Sequence, residues 1–292
     1  PASRGITAVH RENTYNDFEK EILLPYKQSN FGPYFSTGDV NGDGMEDIYM
    51  GGASGQAGTL MLKTPGGFDA IPMPAFKADK AYEDMESVFF DLDSDGDLDL
   101  YVVSGGNEFE QGSSLYQDRV YLNDGNGGFL RANNALPNSA PYSGKAVAAL
   151  DFDADGDMDL VVGNRILAQN YPRHAPSVLL ENRDGRMVDV TGEKAPALAD
   201  FGIVNSLLAS DFDADGNPDL IAVGEWTGIG FFKNTTDGFE LQDAASLGVP
   251  MRGWWYSVRQ TDANGDGLPD YVLGNAGHNI KFSASPEKPF KV

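Results

Sequence analysis

Cysteine is absent from the 292 residues, and basic side chains are scarce: 21 lysines and arginines stand against 44 aspartates and glutamates. Without cysteine there are no disulfides, no thiolate metal ligands and no cysteine nucleophile. The formal charge of −23 argues against partners that are themselves anionic, such as nucleic acid or an acidic membrane surface. The sequence also lacks an apolar run of about 18 residues, the length of a membrane-spanning helix. The charge favours either a cationic ligand or simple solubility, and the absence of cysteine leaves oxygen atoms as the metal ligands.

Apolar residues and turn-forming residues are both plentiful. With 41% apolar residues and 11% aromatics, the chain is too rich in core-forming side chains to be an acidic disordered tail. The 35 glycines and 16 prolines indicate many turns between short segments.

One acidic pattern, D-x-[DN]-x-D-G-x-x-D, occurs five times and spans most of the chain. Positions 1, 3, 5 and 9 always carry a side-chain oxygen, whereas position 7 varies and can contribute regularly only through its backbone carbonyl. Position 6 is always glycine, as expected where the chain turns sharply around an ion. The predicted metal ligands are Asp39, Asn41, Asp43, Met45 and Asp47; Asp91, Asp93, Asp95, Asp97 and Asp99; Asp151, Asp153, Asp155, Asp157 and Asp159; Asp211, Asp213, Asp215, Asn217 and Asp219; and Asp262, Asn264, Asp266, Leu268 and Asp270.

An all-oxygen ligand set in an irregular loop suits a hard cation with loose geometry, which favours Ca²⁺ over Mg²⁺ and excludes Zn²⁺. Two carboxylates about 4 Å apart repel each other by roughly 1 kcal/mol in water and about 4 kcal/mol at an effective dielectric near 20. A loop with four such groups therefore carries a large repulsion unless a cation is bound. The sequence predicts about five Ca²⁺ ions.

The loops differ from the helix-flanked EF-hand. An EF-hand needs a bidentate glutamate at position 12, where this chain has Met50, Val102, Val162, Ala222 and Leu273. An apolar strand-like segment follows each loop, and a shorter one precedes it. We therefore expect the ions to lie within β-hairpins.

Each repeat of 50 to 60 residues contains four strand-like segments, which predicts an all-β fold, a β-propeller of four-stranded blades. The single domain is expected to cover 1–292, with blades near 31–78, 84–136, 145–195, 205–247 and 255–292. Residues 5–10 read as an outer strand that either closes a five-bladed ring or pairs with a further blade.

The loops and the strands after them resemble the FG-GAP/VCBS repeats of integrin α-subunit propellers, and more closely those of large exported bacterial FG-GAP repeat proteins. The segments that carry this resemblance include residues 38–47, 99–106, 118–125, 223–226 and 274–275. It implies a calcium-stabilised, non-catalytic and extracytoplasmic propeller, secreted, at the cell surface or associated with the outer membrane. Such propellers are typically seven-bladed, so a chain with five loops is expected to be a fragment or a trimmed chain.

A partner surface is expected on the face opposite the acidic loops, because the long and variable connections emerge there. Aromatic and arginine side chains on these connections are typical of protein or glycan recognition. The candidate partner-binding residues are Tyr116, Tyr142, Arg165, Tyr171, Arg173, His174 and Trp226.

No catalytic motif is present: the sequence lacks G-x-S-x-G, H-E-x-x-H and a phosphate-binding glycine loop. The favoured function is therefore a calcium-binding scaffold for a protein or glycan partner at the cell surface, with no nucleic-acid binding and no membrane insertion. The alternative is a calcium-dependent polysaccharide lyase or a lectin acting on acidic glycans.

Overall fold

The computed structural model describes residues 5–6, 8–32, 34–243 and 253–277. Strands dominate, and the three helices of the described part are short: α1 (Pro74–Ala78), α2 (Thr191–Lys194) and α3 (Pro196–Ala199). Within the same described residues, 3₁₀ turns occupy Asp17–Glu19 and Ser114–Tyr116. No helix in these ranges is long and apolar enough to cross a membrane.

The strands form antiparallel sheets, and within each four-stranded blade every strand pairs with the next along the chain. The first sheet contains β1 (Phe35–Gly38), β2 (Asp47–Met50), β3 (Thr59–Thr64) and β4 (Gly67–Ile71). The second contains β5 (Asp84–Phe90), β6 (Asp99–Ser104), β7 (Arg119–Leu122) and β8 (Leu130–Arg131). The third contains β9 (Ser143–Leu150), β10 (Asp159–Ile166), β11 (Val178–Asn182) and β12 (Met187–Asp189).

The fourth sheet contains β13 (Ile203–Ala209), β14 (Leu220–Thr227), β15 (Ile229–Thr235) and β16 (Gly238–Leu241). A fifth hairpin, β17 (Gly253–Thr261) and β18 (Asp270–Asn275), joins this sheet where the end of β14 pairs with the start of β17. The fifth blade was predicted over 255–292, and its part beyond residue 277 lies outside the described residues.

The sheets are arranged as the blades of a β-propeller, which confirms the predicted fold class. The first strands of successive blades lie side by side, β1 next to β5, β5 next to β9, β9 next to β13 and β13 next to β17. The second strands β6 and β10 are buried along their whole length, because a neighbouring blade covers each of their faces. This burial explains why these segments are continuously apolar rather than alternating.

Apolar clusters fill the spaces between adjacent blades. Between the third and fourth blades, Val161 and Leu179 pack with Val204 and Phe232. Between the first and second, Leu60 of one blade packs with Leu100 of the other. Burying one such side chain contributes about 1.5–3 kcal/mol, so each blade is stabilised by its neighbours.

Residues 5–10 form no strand in the described positions 5, 6 and 8–10, so the predicted closing strand is not found there. The segment is attached through side chains instead. The Gln56 amide accepts a hydrogen bond from the Arg11 N–H (2.7 Å) and donates one to the Val9 carbonyl (2.7 Å).

A buried polar cluster, which we call the inner cluster, joins the first and second strands of the third and fourth blades to the N-terminal segment: Gln28, Lys145, Arg165, Asn205 and Glu225. Arg165 pairs with Glu225 at 2.5 Å and donates to Gln28 at 2.9 Å, and the Asn205 side-chain oxygen accepts from Lys145 (3.2 Å) and Arg165 (3.1 Å).

The N-terminal segment covers the inner cluster. The Phe31 ring lies 4.3 Å from the Lys145 ammonium and 4.1 Å from the Arg165 guanidinium. Burial, together with the nearby Arg165 charge, lowers the pKa of Lys145 from 10.5 to about 7.

This lowered pKa predicts a pH dependence of stability. Below about pH 7 Lys145 is protonated in both the folded and the unfolded chain. Between pH 7 and 10.5 it is deprotonated in the folded chain and still protonated in the unfolded chain. The free energy of unfolding therefore rises with pH over this range. Relative to that of Lys145→Met, the free energy of unfolding of the wild type should rise by on the order of 3 kcal/mol between pH 6 and pH 9. Urea unfolding at saturating Ca²⁺ measures this difference. The exposed Lys77→Met serves as control, and equal pH profiles for wild type and Lys145→Met would contradict the prediction.

Candidate functional site

The five acidic loops share one internal hydrogen-bond pattern. In every loop the N–H of the position-6 glycine donates to the position-1 aspartate, as Gly156 does to Asp151 at 3.1 Å. The position-7 N–H donates to the position-5 aspartate, as Asp157 does to Asp155 at 2.9 Å. The loops thus fold around their own carboxylates and hold them at one place.

Position 6 has a left-handed backbone in all five loops, with φ between 82° and 98°, which accounts for its glycine. Position 4 is also left-handed, although it is glycine only in the first and last loops. Ser94, Ala154 and Ala214 adopt φ of 60–61° there. The sequence pattern did not reveal this second constraint, because position 4 varies in residue type.

The position-9 aspartate has a structural role in addition to its predicted ligand role. Asp47, Asp99, Asp159 and Asp219 are fully buried, and both carboxylate oxygens of each accept a backbone N–H. For Asp159 the donors are Phe152 of the same loop (3.0 Å) and Asn182 of the third strand (2.7 Å). Burial raises the pKa of Asp99 to about 6 and that of Asp159 to about 7.

Positions 1, 3 and 9 converge in the second, third and fourth loops. In each, one oxygen from each of the three aspartates lies within 4.8 Å of the other two. One buried oxygen of Asp91 and one of Asp151 have no hydrogen-bond partner, so these loops present unsatisfied acceptors. Oxygen donors of this number and type fit a hard divalent cation. The acidic clusters are therefore candidate metal sites.

The remaining predicted ligands differ between loops. Asp97 has a buried, unpartnered oxygen, whereas the Asp157 side chain accepts a hydrogen bond from Ser94 of the neighbouring loop at 2.8 Å. In the fourth loop the Lys233 ammonium pairs with Asp213 and lies 2.9 Å from Asp215. That loop thus contains its own counter-charge.

Three asparagines, one on each of the second, third and fourth blades, connect the loops of adjacent blades. Asn123, Asn182 and Asn234 each donate their backbone N–H to the position-9 aspartate of their own blade. Their side-chain amides donate to the position-2 carbonyls of the preceding loops, those of Val40, Leu92 and Phe152, at 2.7–2.8 Å. We call these residues the bridging asparagines. Sequence reasoning missed them, although asparagine recurs at the end of the third strand.

The candidate partner-binding residues fall into two groups. Tyr116 and Arg165 are buried, which corrects their prediction as surface contacts. The Tyr116 hydroxyl donates to the Phe109 carbonyl at 2.8 Å, and Arg165 belongs to the inner cluster. Arg173 is exposed, and one His174 ring nitrogen lies 3.1 Å from Asp200.

Trp226 and Tyr171 form one partly exposed aromatic unit. The Trp226 indole N–H donates to the Tyr171 hydroxyl at 2.8 Å, and that hydroxyl donates to Glu225 at 3.1 Å. Trp226 packs edge-to-face on Trp254 with ring centroids 4.9 Å apart, yet 37% of it remains exposed. Tyr142 lies elsewhere, in a cleft of about 340 Å³ that also includes Asp118 and Asn164.

Comparison with known proteins agrees with this architecture. A family model described as an FG-GAP-like repeat matches residues 39–102, 91–162 and 211–273, more than half of the chain. The fold is thus a propeller of acidic-loop repeats, and the chain belongs to the FG-GAP-like repeat family. No curated protein matches it significantly.

Solved structures with similar folds have low sequence identity. An Agrocybe aegerita lectin, described as recognising non-reducing terminal N-acetylglucosamine, is 16% identical with a TM-score of 0.55, covering 84% of this chain and 60% of the lectin. The biofilm matrix protein Bap1 of V. cholerae is 15% identical with a TM-score of 0.40, covering 85% of this chain and 37% of Bap1. A Bacillus licheniformis rhamnogalacturonan lyase is 12% identical with a TM-score of 0.39, covering 85% of this chain and 58% of the lyase. The chain thus spans less than two thirds of each of these proteins.

Two variants of the third loop separate the structural role from the ligand role. In chelator, Asp159→Asn should lower the free energy of unfolding by about 1–3 kcal/mol, because an amide cannot accept both buried N–H groups. Asp153→Asn, at an exposed position, should lower the free energy of unfolding in chelator by far less. Urea unfolding with and without Ca²⁺ tests both, and equal costs for the two variants in chelator would contradict the assignment.

Proposed function

We propose that this chain is a calcium-stabilised, non-catalytic and extracytoplasmic propeller that binds a glycan partner through the face opposite its acidic loops. The observation that carries this proposal is the geometry of Trp226, an aromatic side chain held in a strained backbone at a partly exposed position. The acidic loops and the low content of basic residues support the calcium part.

Calcium is the favoured ion because every predicted side-chain ligand is a carboxylate or amide oxygen and the loops are irregular. The unpartnered oxygens of Asp91 and Asp151 would be satisfied by a bound cation. Five loops with the same hydrogen-bond pattern support about five ions. The fourth is expected to bind more weakly, because Lys233 competes for its carboxylates.

Trp226 occupies a β-bulge. The pairing of β14 with β17 runs from Glu225–Trp254 to Thr227–Gly253 and skips Trp226. The residue has φ of 62°, a conformation that is costly for a bulky side chain. Bulges of this kind redirect a side chain, and strained residues concentrate at functional sites.

The Trp226 indole therefore offers a fixed aromatic face to a ligand. Its position is set by Tyr171 and Trp254, so little side-chain entropy is lost on binding. Tryptophan and tyrosine with this mixture of apolar face and polar edge are frequent at recognition surfaces. A sugar ring suits such a surface, and the Agrocybe aegerita lectin of similar fold is described as recognising N-acetylglucosamine.

A non-catalytic role is supported by the pairing and enclosure of the buried basic side chains. Arg119 pairs with Asp84 at 2.6 Å, and Arg165 pairs with Glu225. Lys145 is enclosed in the inner cluster, away from any acidic loop.

The polysaccharide lyase alternative needs a free base beside a metal, whereas Lys233, which lies beside the fourth loop, is paired with Asp213 and Asp215. Formation of an unsaturated product from uronate polymers would establish the lyase alternative instead.

Removal of calcium should destabilise the propeller. At free Ca²⁺ about tenfold above Kd, each site adds roughly 1.4 kcal/mol, or about 7 kcal/mol for five independent sites. Chelation should therefore lower Tm by more than about 10 °C. Millimolar Ca²⁺ should restore the original Tm, and Mg²⁺ at the same concentration should raise the Tm by less. A melt that does not change in chelator would overturn the calcium assignment.

Replacing Trp226 tests the binding face. Trp226→Ala should weaken binding to immobilised glycans that end in N-acetylglucosamine by at least tenfold, without loss of the calcium-dependent melt. Leu130→Ala, which removes another exposed apolar side chain on a different blade, is the matched control. Equal glycan binding by wild type and Trp226→Ala, or none by the wild type, would count against the proposed face.

A further inference from the structure

The N-terminal segment 9–12 is attached to the junction of the first two blades. His10 contacts the carbonyl of Gly51, which directly follows β2, through its Nδ1 atom at 3.1 Å. Its Nε2 atom lies 3.0 Å from an oxygen of Glu12. A carboxylate oxygen of Glu83, the residue before β5, lies within 4.8 Å of both groups.

These contacts define the state of the imidazole. A carbonyl only accepts, so Nδ1 carries a proton and donates it to Gly51. In the neutral ring Nε2 then has a lone pair, and this lone pair faces a carboxylate oxygen at 3.0 Å. Two acceptors at this distance need a positive charge between them, either a proton on Nε2 or a metal ion.

The oxygens around the imidazole favour a metal ion. Glu83 is fully buried; one of its oxygens accepts the Ser54 N–H at 2.6 Å, and the other has no partner. The second oxygen of Glu12 is also buried without a partner. A proton on Nε2 satisfies one oxygen of Glu12 and leaves these two unsatisfied. Each such buried acceptor costs about 1–3 kcal/mol.

We propose that His10, Glu12 and Glu83 bind a divalent transition-metal ion of the Zn²⁺ type. One imidazole nitrogen and two carboxylate oxygens form a donor set that suits transition-metal ions such as Zn²⁺, whereas the all-oxygen loops suit Ca²⁺. Tetrahedral ligands about 2.1 Å from a common ion are about 3.4 Å apart. Nε2 and the Glu12 oxygen lie 3.0 Å apart, so a shift of about 0.4 Å brings them to this spacing.

The Gly51 carbonyl completes the arrangement. A metal-bound histidine usually donates its other N–H to a carbonyl or carboxylate, which orients the ring. Here the Nδ1–H···O bond to Gly51 has this role. The metal joins the N-terminal segment to Glu83 and so fastens the segment to the blades independently of the calcium loops.

Zinc titration of the full chain in saturating Ca²⁺ tests the site. Isothermal titration calorimetry should show one Zn²⁺ per chain that millimolar Ca²⁺ does not displace. His10→Gln and Glu12→Gln should each weaken this binding at least tenfold and remove the zinc-dependent rise in Tm. His174→Gln is the matched control, because His174 also lies beside a carboxylate, that of Asp200, but belongs to no such cluster.

Glu12 is replaced instead of the buried Glu83, because the Glu12 side chain is 26% exposed and its variant should fold. Zinc binding that is absent, or equally strong in His10→Gln, would overturn the proposal. Protons on both His10 nitrogens in the presence of zinc, seen by ¹⁵N NMR, would overturn it in favour of an ion pair only.

Discussion

The structure depends on one buried carboxylate in each of the first four repeats, the position-9 aspartate. Its two oxygens accept N–H groups from two places, the beginning of its own loop and the third strand of its own blade. The strand residue in three blades is a bridging asparagine, whose amide reaches the preceding loop. A single aspartate thus fixes the loop to its blade, and the asparagine bonded to it fixes the same blade to the loop before it.

This arrangement explains why an acidic loop is compatible with a packed core. Position 2 of each loop is apolar, and Val40, Leu92 and Phe152 are buried between adjacent blades. Their carbonyls would be unsatisfied there without the bridging asparagines. The loop is therefore both a candidate metal site and a part of the interface between blades.

Much of the fold was predictable from the sequence, because repetition allows residues to be compared within one chain. The glycine at position 6 and the constant acids indicated a sharp turn around an ion, and the apolar runs indicated buried strands. The left-handed position 4 was not predictable, since Ser94 and Ala154 are ordinary residues whose strain depends on the folded loop.

The candidate partner face was predicted less well, for a physical reason. Arg165 and Tyr116 were predicted on variable connections, where exposure is the usual expectation, but Arg165 lies in the buried strand β10. The N-terminal segment covers Arg165 with Phe31, and Tyr116 is tied to Phe109. Such burial depends on contacts between residues more than a hundred positions apart or on the path of one loop, and neither has a local pattern.

The bridging asparagines all point the same way along the chain, each from one blade to the loop of the blade before it. Such a propeller behaves as a one-dimensional array with nearest-neighbour coupling. Displacement of one loop is therefore transmitted first to the blade that follows it, and reaches more distant blades only through that one.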